Sequence, residues 1–577
     1  MYKGTVGSAG IAIGKAYLYS KPELVIDENV IPENMVSMEI DKLKHAFEVT
    51  HNQIKEIRDK ASDKLSEDDA KIFEAHLMIL DDPAFIEEIL NIIKKESISA
   101  SNAVKKVTDS YINIFLQMEN EYMKERVADI KDIGNRILEN ILNIKSDSMN
   151  NFSSNTIIVA HDLTPSDTAS LSTSMICGFV TDVGGETSHM AIVARSLEIP
   201  AVLGVGNITG KVRDGDVIIL DAVEGNVIVD PTEDQLEFYR SKKEKFDKMK
   251  QELKKLKDLP AITKDGRQIE VSANIGTPEE INKVIEYGGE GVGLFRTEFL
   301  YMNRDKLPNE EEQFLAYKSI AEKLCGKPVI IRTLDIGGDK KLPYLELPEE
   351  MNPFLGWRAI RISLSRHDIF KTQLRAILRA SAFGNVLMMY PMISDISELR
   401  EANKVLEEAK LELKKEGTLY NEKMKVGIMV EIPSAALTAD IISKEVDFFS
   451  IGTNDLCQYT LAVDRMNERV SKLYKPFHPA ILRLIKKVIE SSNAYGKFTG
   501  ICGEIASDPM MIIILVGLGL DELSMNPASI PMAKKVIRSI TYERARKIAE
   551  HAIELSTAEE IVEYLNKILE KRNESRD

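Results

Sequence analysis

The second half of the chain is a succession of short apolar runs, each followed by a stretch with helical periodicity. The runs are IEVSANI, GVGLFRTE, VIIRTLD, VLMMYPM, VGIMVEIP, FFSIGTND, FTGICGE and DELSMN, beginning at residues 269, 291, 329, 386, 426, 448, 498 and 521. Eight strand–helix units in succession predict a (β/α)8 barrel, in which parallel strands close into a ring. A doubly wound open sheet is the alternative that the same count allows.

Charged and reactive side chains follow five of these strands at the points where the strands end. They are Arg296, Arg332, Glu431, the pair Asn454 and Asp455, and the pair Cys502 and Glu504. In a (β/α)8 barrel, active sites are built on the face where the strands end. A single charge at a strand end is usually a solvated loop residue, but five such ends together predict a functional site.

The residue types on this face form a coherent chemical set. Planar guanidinium groups suit carboxylate and phosphate, although any one of them alone is explained by a surface ion pair. The candidates are Arg296, Arg332, Arg358 and Arg465. Glu431 and Asp455 are hard oxygen ligands, and Mg²⁺ usually takes one or two carboxylates together with waters and substrate phosphate oxygens. The set predicts a pocket for a small, highly charged phosphorylated acid and a divalent metal.

Two further residues belong to the same predicted pocket. Lys340 lies in TLDIGGDKK, where paired glycines predict a loop close to the substrate. Cys502 has two interpretations. A cysteine of this kind is often a small core residue. A thiol that faces the site, with an ordinary pKa of about 8.5, is mostly protonated at neutral pH and is able to donate a proton or to act as a nucleophile.

The first half of the chain divides by the period of its apolar residues. Residues 1–20 alternate as one strand does, and a long helix is predicted from about residue 35. Its apolar face comprises Ile40, Leu43, Phe47, Thr50, Ile54 and Ile57. Helical patterns continue to residue 144, with Ser66 and Asp69 as a capping box and a helix stop at Asp81-Asp82-Pro83. From residue 155, the runs TIIVA, ICGFVTD, AVLGV, DVIILD and NVIVD predict strands.

These patterns predict four segments in a multidomain α/β protein. Residues 1–20 and 146–230 form an α/β domain, and residues 21–145 form a helical domain inserted into it. Residues 231–259, between Pro231 and Pro260, predict a charged and mostly exposed linker helix. Residues 260–577 form the barrel.

The stretch GGETSHMAIV contains one of the eight histidines of the chain, His189. Gly184 and Gly185 permit a tight turn, and Thr187 or Ser188 is suited to cap a helix that runs through MAIVARSL. His189 would then lie at a helix N-terminus, which favours a bound anion. The imidazole either accepts a phosphoryl group there or merely stabilises the turn.

Composition excludes several classes of function. The chain has 577 residues, is 44% hydrophobic and 29% charged, and carries a formal net charge of −16, which argues against a nucleic-acid partner. The four cysteines are far apart and predict neither a zinc site nor a disulfide framework, as expected of a cytoplasmic protein. They are Cys177, Cys325, Cys457 and Cys502. Neither a signal peptide nor a membrane-spanning stretch is recognised, so no membrane insertion is expected.

Several stretches resemble a known enzyme family. GGETSHMAIVAR (184–195) resembles the phosphohistidine signature shared by enzymes that use phosphoenolpyruvate. DFFSIGTNDLCQYTLAVDR (447–465) resembles the second signature of that superfamily, in its barrel domain. The domain order, DLTPSDTA (162–169) and KIFEAHLMILDD (71–82) resemble enzyme I of the bacterial sugar phosphotransferase system. The resemblance covers essentially the whole chain.

The resemblance implies a set of residue roles. Phosphoenolpyruvate and Mg²⁺ would bind at the barrel mouth, with Glu431 and Asp455 on the metal. The substrate would be held by Arg296, Arg332, Arg465 and Asn454, beside Asp455 and Lys340, with Arg358 assisting. His189 would attack phosphorus through Nε2, and Cys502 would protonate the enolpyruvate carbon to give pyruvate. Thr168 would hydrogen-bond the imidazole.

The resemblance also implies partners. The helical domain would dock the phosphocarrier protein HPr, which takes the phosphoryl group onto its own histidine. Candidates for this contact, unless they are solvated caps, are the acidic residues Glu67, Asp68, Asp69, Asp81 and Asp82. Because His189 must reach the barrel and then the helical domain, a swivel about residues 231–260 is expected. A homodimer through the barrel domain is implied as well.

The chain departs from the usual pattern of the family at three positions. Met190 stands where a small residue is usual, so it is a candidate for crowding the imidazole. Glu186 stands where close relatives often have Arg, which places a negative charge near the phosphohistidine. Ser507, in ICGEIASD, stands where Gly is usual. None of the three removes a catalytic group.

Two other functions remain open from the sequence. An ATP-dependent relative that makes or consumes phosphoenolpyruvate would carry a large nucleotide-binding domain before the phosphohistidine domain, whereas this chain has mainly helical sequence there and no GxxxxGK[ST] motif. An inactive regulatory paralogue would show decay of the site. Here the histidine, both acidic metal ligands, the cysteine and the arginines are all present.

Overall fold

The computed structural model describes residues 1–20, 24–27, 29–62, 67–117, 121–144, 154–164, 167–168, 175–185, 188–302, 304–338, 340, 342, 344–345, 348, 350–467 and 469–574. The chain forms two compact units, Met1–Met249 and Lys250–Asp577. The first combines a mixed sheet with a group of helices, and the second is built on a closed barrel.

The sheet of the first unit has eight strands. They are Tyr2–Lys3 (β1), Thr5–Ser8 (β2), Ile11–Tyr19 (β3), Thr156–Ala160 (β4), Ile176–Thr181 (β5), Ala201–Leu203 (β6), Val217–Asp221 (β7) and Asn226–Val229 (β8). Their spatial order is β1-β8-β7-β3-β4-β5-β6-β2, with β3 to β6 parallel. The prediction of one strand over residues 1–20 is wrong. The chain must break there because β2 pairs with β6 at one edge, whereas β3 pairs with β4 and β7 in the middle.

The helices between β3 and β4 pack around an apolar core that includes Leu43 and Ile54, which confirms the predicted helical face. The helices up to β9 are Val36–Ser62 (α1), Glu67–Leu80 (α2), Pro83–Glu96 (α3), Ala100–Gln117 (α4), Glu121–Ile141 (α5), His189–Ser196 (α6) and Glu233–Lys254 (α7). The predicted stop is confirmed, because Asp82 accepts a hydrogen bond from the Ala84 N–H at 2.9 Å and so caps α3. Ser66, of the predicted capping box, lies outside the described residues.

Helix α7 corresponds to the predicted exposed helix, and none of its residues is buried. Its Lys242 ammonium lies 2.5 Å from the carboxylate of Asp221, the last residue of β7. No described helix of the chain is both long enough and apolar enough to cross a membrane.

Eight parallel strands form the barrel of the second unit. They are Glu270–Ile275 (β9), Val292–Phe295 (β10), Val329–Arg332 (β11), Val386–Tyr390 (β12), Val426–Val430 (β13), Phe448–Ile451 (β14), Phe498–Ile501 (β15) and Glu522–Met525 (β16). The ring closes where β16 pairs with β9, from Glu522 opposite Glu270 to Met525 opposite Ala273. All eight predicted strands are confirmed. The doubly wound alternative is wrong, because it would leave two unpaired edges.

Helices surround the barrel, and its interior is packed with side chains such as Leu294, Met389 and Met429. The helices are Ile281–Glu286 (α8), Glu310–Lys323 (α9), Ile360–Ser365 (α10), His367–Ala380 (α11), Ile396–Glu416 (α12), Pro433–Leu437 (α13), Ala439–Ile442 (α14), Thr453–Leu461 (α15), Pro479–Ala494 (α16), Pro509–Leu518 (α17), Ile530–Arg538 (α18), Tyr542–Glu554 (α19) and Ala558–Glu574 (α20). The filled interior makes the barrel a scaffold whose strand ends carry the chemistry.

Candidate active site

The predicted charged residues lie at the carboxyl ends of the barrel strands, a face that we call the mouth. Arg332 is the last residue of β11, and the residues directly after β10, β13 and β15 are Arg296, Glu431 and Cys502. Asn454 and Asp455 lie in the first turn of α15, shortly after β14. Parallel strands of a closed barrel all end on the same side, so these side chains belong to one face.

Asp335 is the centre of the ion-pair network at the mouth. Its buried carboxylate lies 3.0 Å from Arg332 Nη1, and it accepts hydrogen bonds from Arg358 Nε and Nη2 at 3.0 and 3.2 Å. Lys340 Nζ lies 3.6 Å from the same carboxylate. Burial alone would raise the pKa of Asp335, but the three cations outweigh it and hold the pKa well below its usual range. Asp335 is therefore a fixed anion.

Arg358 joins this centre to the predicted metal ligand Asp455. Its Nη2 donates to Asp455 Oδ2 at 3.1 Å, and its Nη1 donates to the Tyr459 hydroxyl at 3.1 Å. Because Nε and Nη2 also bind Asp335, all three guanidinium nitrogens have protein acceptors. The guanidinium carbon lies 5.5 Å from the centre of the Phe354 ring. This geometry makes Arg358 a residue that orients its neighbours.

Arg332 is buried, yet one of its donors is unused. Its Nη2 donates to Glu298 at 2.5 Å, and Lys340 Nζ lies 3.6 Å from the same Glu298 oxygen. Its Nε has no acceptor among the residues that the structure describes, and neither do the buried hydroxyls of Thr333 and Thr453. An unsatisfied buried polar group costs roughly 1–3 kcal/mol, so these atoms indicate a polar ligand at the mouth.

Glu431 is a buried carboxyl group whose Oε1 accepts a hydrogen bond from the Met392 N–H at 2.6 Å. Met392 has a φ of 56°, a conformation that needs support from its surroundings. Burial and the nearby carboxylates of Asp455 and Asp335 raise the pKa of Glu431 to about 8, although Arg332 opposes this. The Asp455 carboxylate therefore adds to the burial that disfavours the anionic form of Glu431.

These two carboxylates fit a divalent cation of the Mg²⁺ type. The cation would relieve the repulsion that raises the pKa of Glu431. Mg²⁺ completes its octahedron with waters and substrate oxygens, so two carboxylates suffice. In keeping with that, no three His, Cys, Asp or Glu side chains of the described part of the chain are arranged to hold a metal by themselves.

The Cys502 thiol is buried in the barrel interior beside Met429 and Phe448. Burial raises its pKa to about 11, although the Arg332 and Arg296 cations lower it. Such a thiol is protonated at neutral pH. It lies 3.7 Å from the carbonyl oxygen of Ile451 at the end of β14.

Asn454 and Arg465 meet at one carboxylate oxygen. Asn454 Nδ2 donates to Glu504 Oε1 at 3.0 Å, and Arg465 Nη1 lies 3.4 Å from the same oxygen. The Glu504 side chain is 81% exposed, so these are weak contacts that an anionic ligand is able to replace. Ser507, one of the departures from the family, donates from Oγ to the Glu504 carbonyl oxygen at 2.8 Å.

Arg296 differs from the other arginines of the mouth. It is exposed, and no hydrogen bond or ion pair from the described residues reaches its guanidinium group. Because no protein anion has to be displaced from it, Arg296 is the arginine most open to a ligand anion.

His189 is the first residue of α6, as predicted, and Ser188 caps this helix by accepting from the Ala191 N–H at 3.4 Å. Gly184 has a φ of 112°, which favours glycine. The backbone thus places position 189 at a helix N-terminus, where an anion is favoured. Glu186, Thr187 and the side chain of His189 lie outside the described residues, so their roles stay predictions.

Two neighbours of this segment are described. Thr168 is buried and its hydroxyl donates to the Thr164 carbonyl oxygen at 3.3 Å, while its predicted bond to the imidazole stays a prediction. Met190 is 2% exposed and packs with Phe179 and Leu203 in the core of the sheet. A packing role therefore accounts for the large side chain at position 190.

Sequence reasoning missed the residues that organise the mouth, namely Asp335, Glu298 and Tyr459. A signal existed, because several arginines at one buried face require buried anions between them. It also missed the surroundings of Trp357, the single tryptophan of the chain. The Trp357 backbone N–H donates to Glu350 at 2.9 Å, and its indole N–H donates to the carbonyl oxygen of Arg361 at 3.2 Å.

Comparison with known families covers most of the chain. Residues 3–126 match the family described as PEP-utilising enzyme, N-terminal, and residues 152–225 match PEP-utilising enzyme, mobile domain. Residues 250–542 match PEP-utilising enzyme, PEP-binding domain. The matched ranges include His189 and the whole mouth.

Relatives of similar length are about half identical. The phosphoenolpyruvate-protein phosphotransferase of Staphylococcus carnosus (strain TM300) is 51% identical over 561 residues, which are 97% of this chain and 98% of that protein. The phosphoenolpyruvate-protein phosphotransferase of Listeria innocua is 50% identical over 565 residues, 98% of both chains. The NMR solution structure of Enzyme I (nEIt) is 48% identical and covers 43% of this chain and 100% of that one, with a TM-score of 0.39. The two full-length relatives, at 50–51% identity over nearly the whole chain, show that this chain belongs to the phosphoenolpyruvate-protein phosphotransferase family.

Proposed function

We propose that this chain transfers the phosphoryl group of phosphoenolpyruvate to Nε2 of its own His189 and then to a histidine of HPr, releasing pyruvate. The observation that carries the proposal is the buried network of Arg332, Arg358 and Asp335 at the mouth, in a chain 51% identical to a named phosphotransferase. The reaction is the first step of sugar uptake by the phosphotransferase system.

Some cations of the mouth have donors open to the substrate, whereas others already bind protein carboxylates. Arg296 is open and Arg332 keeps an unused buried N–H, so both are suited to phosphate oxygens. When the substrate binds, Arg465 and Asn454 release the exposed Glu504 carboxylate and bind the substrate carboxylate in its place. Lys340 adds positive charge from its position beside Asp335 and Glu298. Arg358 keeps its protein acceptors and assists by holding Asp455 in place.

Glu431 and Asp455 are the residues that would hold Mg²⁺. When bound, the cation supplies positive charge that neutralises phosphate oxygens. The chain contributes the orientation of the ligands: the Met392 N–H fixes Glu431 and the Arg358 guanidinium fixes Asp455.

In the chemical step, the lone pair of His189 Nε2 forms a bond to phosphorus while the bond between phosphorus and the enol oxygen breaks. The electron pair of that bond passes to the enolate, whose methylene carbon takes the proton of the Cys502 thiol and becomes the methyl group of pyruvate. A buried thiol with a pKa of about 11 holds its proton at neutral pH until a strong base such as an enolate takes it. Water then reprotonates the thiolate. Thr168 would orient the imidazole.

The phosphoryl group would leave His189 for HPr docked on the helices α1 to α5. Asp81 and Asp82 are exposed there. Asp82 caps α3, whereas Asp81 lies 3.6 Å from His51 Nε2 on the surface, a contact weak enough for a partner to replace, so Asp81 is the stronger candidate. The side chains of Glu67, Asp68 and Asp69 lie outside the described residues. We propose further that the enzyme is cytoplasmic and forms a homodimer through its barrel. Its phosphohistidine domain swivels about residues 231–260.

The test is labelling with phosphoenolpyruvate that carries radioactive phosphorus, in Mg²⁺ or in EDTA, on wild type and on His189→Ala. We expect a label that is labile in acid, stable in base, dependent on Mg²⁺ and on His189, and transferable to HPr. Absence of label on the wild type with Mg²⁺ would overturn the proposal in favour of an inactive paralogue. Labelling from the γ-phosphate of ATP instead would identify an ATP-dependent relative.

A further inference from the structure

The opposite end of the barrel, where the strands begin, contains a cavity of about 350 Å³. Glu522 and Glu270, the first residues of β16 and β9, line it. Its apolar walls come from Ile330, Leu387 and Phe498. The barrel core, with Leu294, Met389 and Met429, separates this end from the mouth.

Glu522 projects into the barrel and is 4% exposed. A methyl group at position 293 would lie 2.3 Å from its Oε1, and a methyl group at position 500 would lie 2.3 Å from its Oε2. Gly293 and Gly500 therefore leave the space that the carboxyl group fills. Burial of such a group carries an energetic cost unless it is paired, and packing alone does not require it there.

The charges around the cavity are unbalanced. Asp521 lies 3.3 Å from Arg267, and Glu290 lies 3.9 Å from Lys534, so these two carboxylates have cationic partners. Among the side chains that the structure describes, only the Ser272 hydroxyl donates a hydrogen bond to the Glu270 carboxyl group, at 3.2 Å. Within the described part of the chain, Glu522 has no ion pair, and the hydroxyl that approaches it is that of the same Ser272. Two neighbouring carboxyl groups thus face the cavity without a cation.

The nearest cation at the rim does not fill this role. Lys425 is exposed and lies 5.9 Å from the centre of the Phe498 ring, and none of the described carboxylates forms an ion pair with it. Burial and the Glu270 carboxyl group raise the pKa of Glu522 to about 8. At neutral pH the pair is therefore poised to lose a proton when a cation arrives.

The chemistry of the walls selects the kind of cation. The apolar side chains of Ile330, Leu387 and Phe498 offer no ligand to a hydrated metal ion, so these walls fit the organic part of a cation better. Apolar side chains suit an aliphatic chain, and the Phe498 ring, stacked on Phe448 with 4.9 Å between the ring centres, adds to this apolar surface. The volume equals that of roughly ten waters, which suits a ligand of a few heavy atoms.

We propose that this cavity binds a small organic ammonium ion, with Glu522 and Glu270 holding the ammonium group and Ile330, Leu387 and Phe498 contacting its aliphatic chain. Binding favours the ionised form of Glu522, so it releases a proton. The affinity therefore increases as the pH rises through about 8, up to the pH at which the amine itself loses its charge.

The test is isothermal titration calorimetry on the full chain at constant ionic strength, with n-butylammonium chloride as the probe and n-butanol as its neutral analogue. We expect saturable binding of n-butylammonium, tighter at pH 8.5 than at pH 7, and no binding of n-butanol. Absence of n-butylammonium binding, or equal binding of n-butanol, would overturn the proposal.

Variants locate the site. Glu522→Gln and Glu270→Gln keep the side-chain shape, and each is expected to weaken n-butylammonium binding at least tenfold. The matched control is Glu286→Gln, which changes an exposed glutamate outside the cavity and is expected to bind as wild type does. If Glu522→Gln and Glu270→Gln both bind n-butylammonium as tightly as wild type does, the probe binds elsewhere. The two probes on wild type decide the question even if a variant fails to fold.

Discussion

Arg358 binds both carboxylate oxygens of Asp455, at 3.1 Å between Nη2 and Oδ2 and at 3.4 Å between Nη1 and Oδ1. The same guanidinium group binds both oxygens of Asp335. One side chain thus fixes a carboxylate on the loop after β11 and another on α15. The proposed metal ligand is oriented before any ligand arrives, which lowers the cost of binding.

Replacing Arg358 tests this orientation. Lysine keeps the charge but cannot bind two carboxylates bidentately, so Arg358→Lys is expected to lower kcat/KM for pyruvate release about 10- to 100-fold, roughly 1.4–2.7 kcal/mol. The control is Arg400→Lys, because Arg400 binds Glu445 in the same bidentate manner but on the surface. Steady-state assays should show little change in the control. Equal effects of the two substitutions would contradict the orienting role.

Gly503 is expected to be intolerant of any side chain. A methyl group there would lie 1.7 Å from Thr453 Oγ1, so Gly503→Ala must displace the turn that carries Asn454 and Asp455. We expect a loss of about 100-fold in kcat/KM with the fold retained, since small displacements of catalytic groups are costly. Gly276→Ala is the control, because its nearest neighbour, Glu280 Oε1, is 3.4 Å away. Circular dichroism with pyruvate assays distinguishes misfolding from misalignment.

The thiol of Cys502 is expected to act as an acid. Cys502→Ala should slow pyruvate formation by about 10²- to 10⁴-fold, the usual contribution of a positioned acid, while binding of phosphoenolpyruvate persists. Cys457→Ala is a matched control, because Cys457 is also buried and its pKa is also raised to about 11. Rapid-quench measurement of pyruvate separates the two variants. Similar rates for both would leave Cys502 with a packing role only.

Met190 is expected to matter for stability more than for chemistry. Because its side chain is buried in the core of the sheet, Met190→Ala should lower the free energy of unfolding of the first unit by about 2–5 kcal/mol. Met190→Leu, which conserves volume, should cost less than about 1.5 kcal/mol and leave labelling of His189 unchanged. Urea denaturation measures the free energy of unfolding, and phosphoryl labelling measures the reaction at His189. Faster labelling of Met190→Ala would instead support crowding of the imidazole.

Glu522 is expected to make stability depend on pH. Its pKa is raised to about 8 in the folded protein, so its contribution to stability is complete below the pKa of the unfolded chain and is lost as the pH rises through 8. The free energy of unfolding of wild type relative to Glu522→Gln should therefore fall between pH 5 and pH 9. Urea denaturation at both values measures this difference. Glu286→Gln should show no such trend, and a flat difference for Glu522→Gln would contradict the buried, unpaired carboxyl group.

The barrel was predictable because its signal is local. Each strand is a short apolar run, and the residues that follow it, such as Glu431 after β13, are read directly from the sequence. The first twenty residues misled the prediction because their alternation is also local, whereas the break between β2 and β3 depends on which distant strands they join.

The connections within the mouth could not be predicted in the same way. Arg358 lies 23 residues from Asp335 and 97 residues from Asp455, and no periodicity links such positions. The arginines could be recognised in the sequence by residue type. Only the packed structure shows which of them bind protein acceptors and which are open to a ligand. Arg296 and Arg358 look alike in the sequence, yet one is exposed and the other is enclosed by acceptors.

Trp357 precedes Arg358, and its two N–H groups are held by Glu350 and by the turn that begins α10. Because the chain has no other tryptophan, all of its tryptophan emission originates at the barrel mouth. The protein thus carries its own optical reporter at the place where the ion pairs meet. A charged ligand beside Arg358 changes the electric field at the indole, so we expect the emission to report occupancy of the mouth in real time without a label.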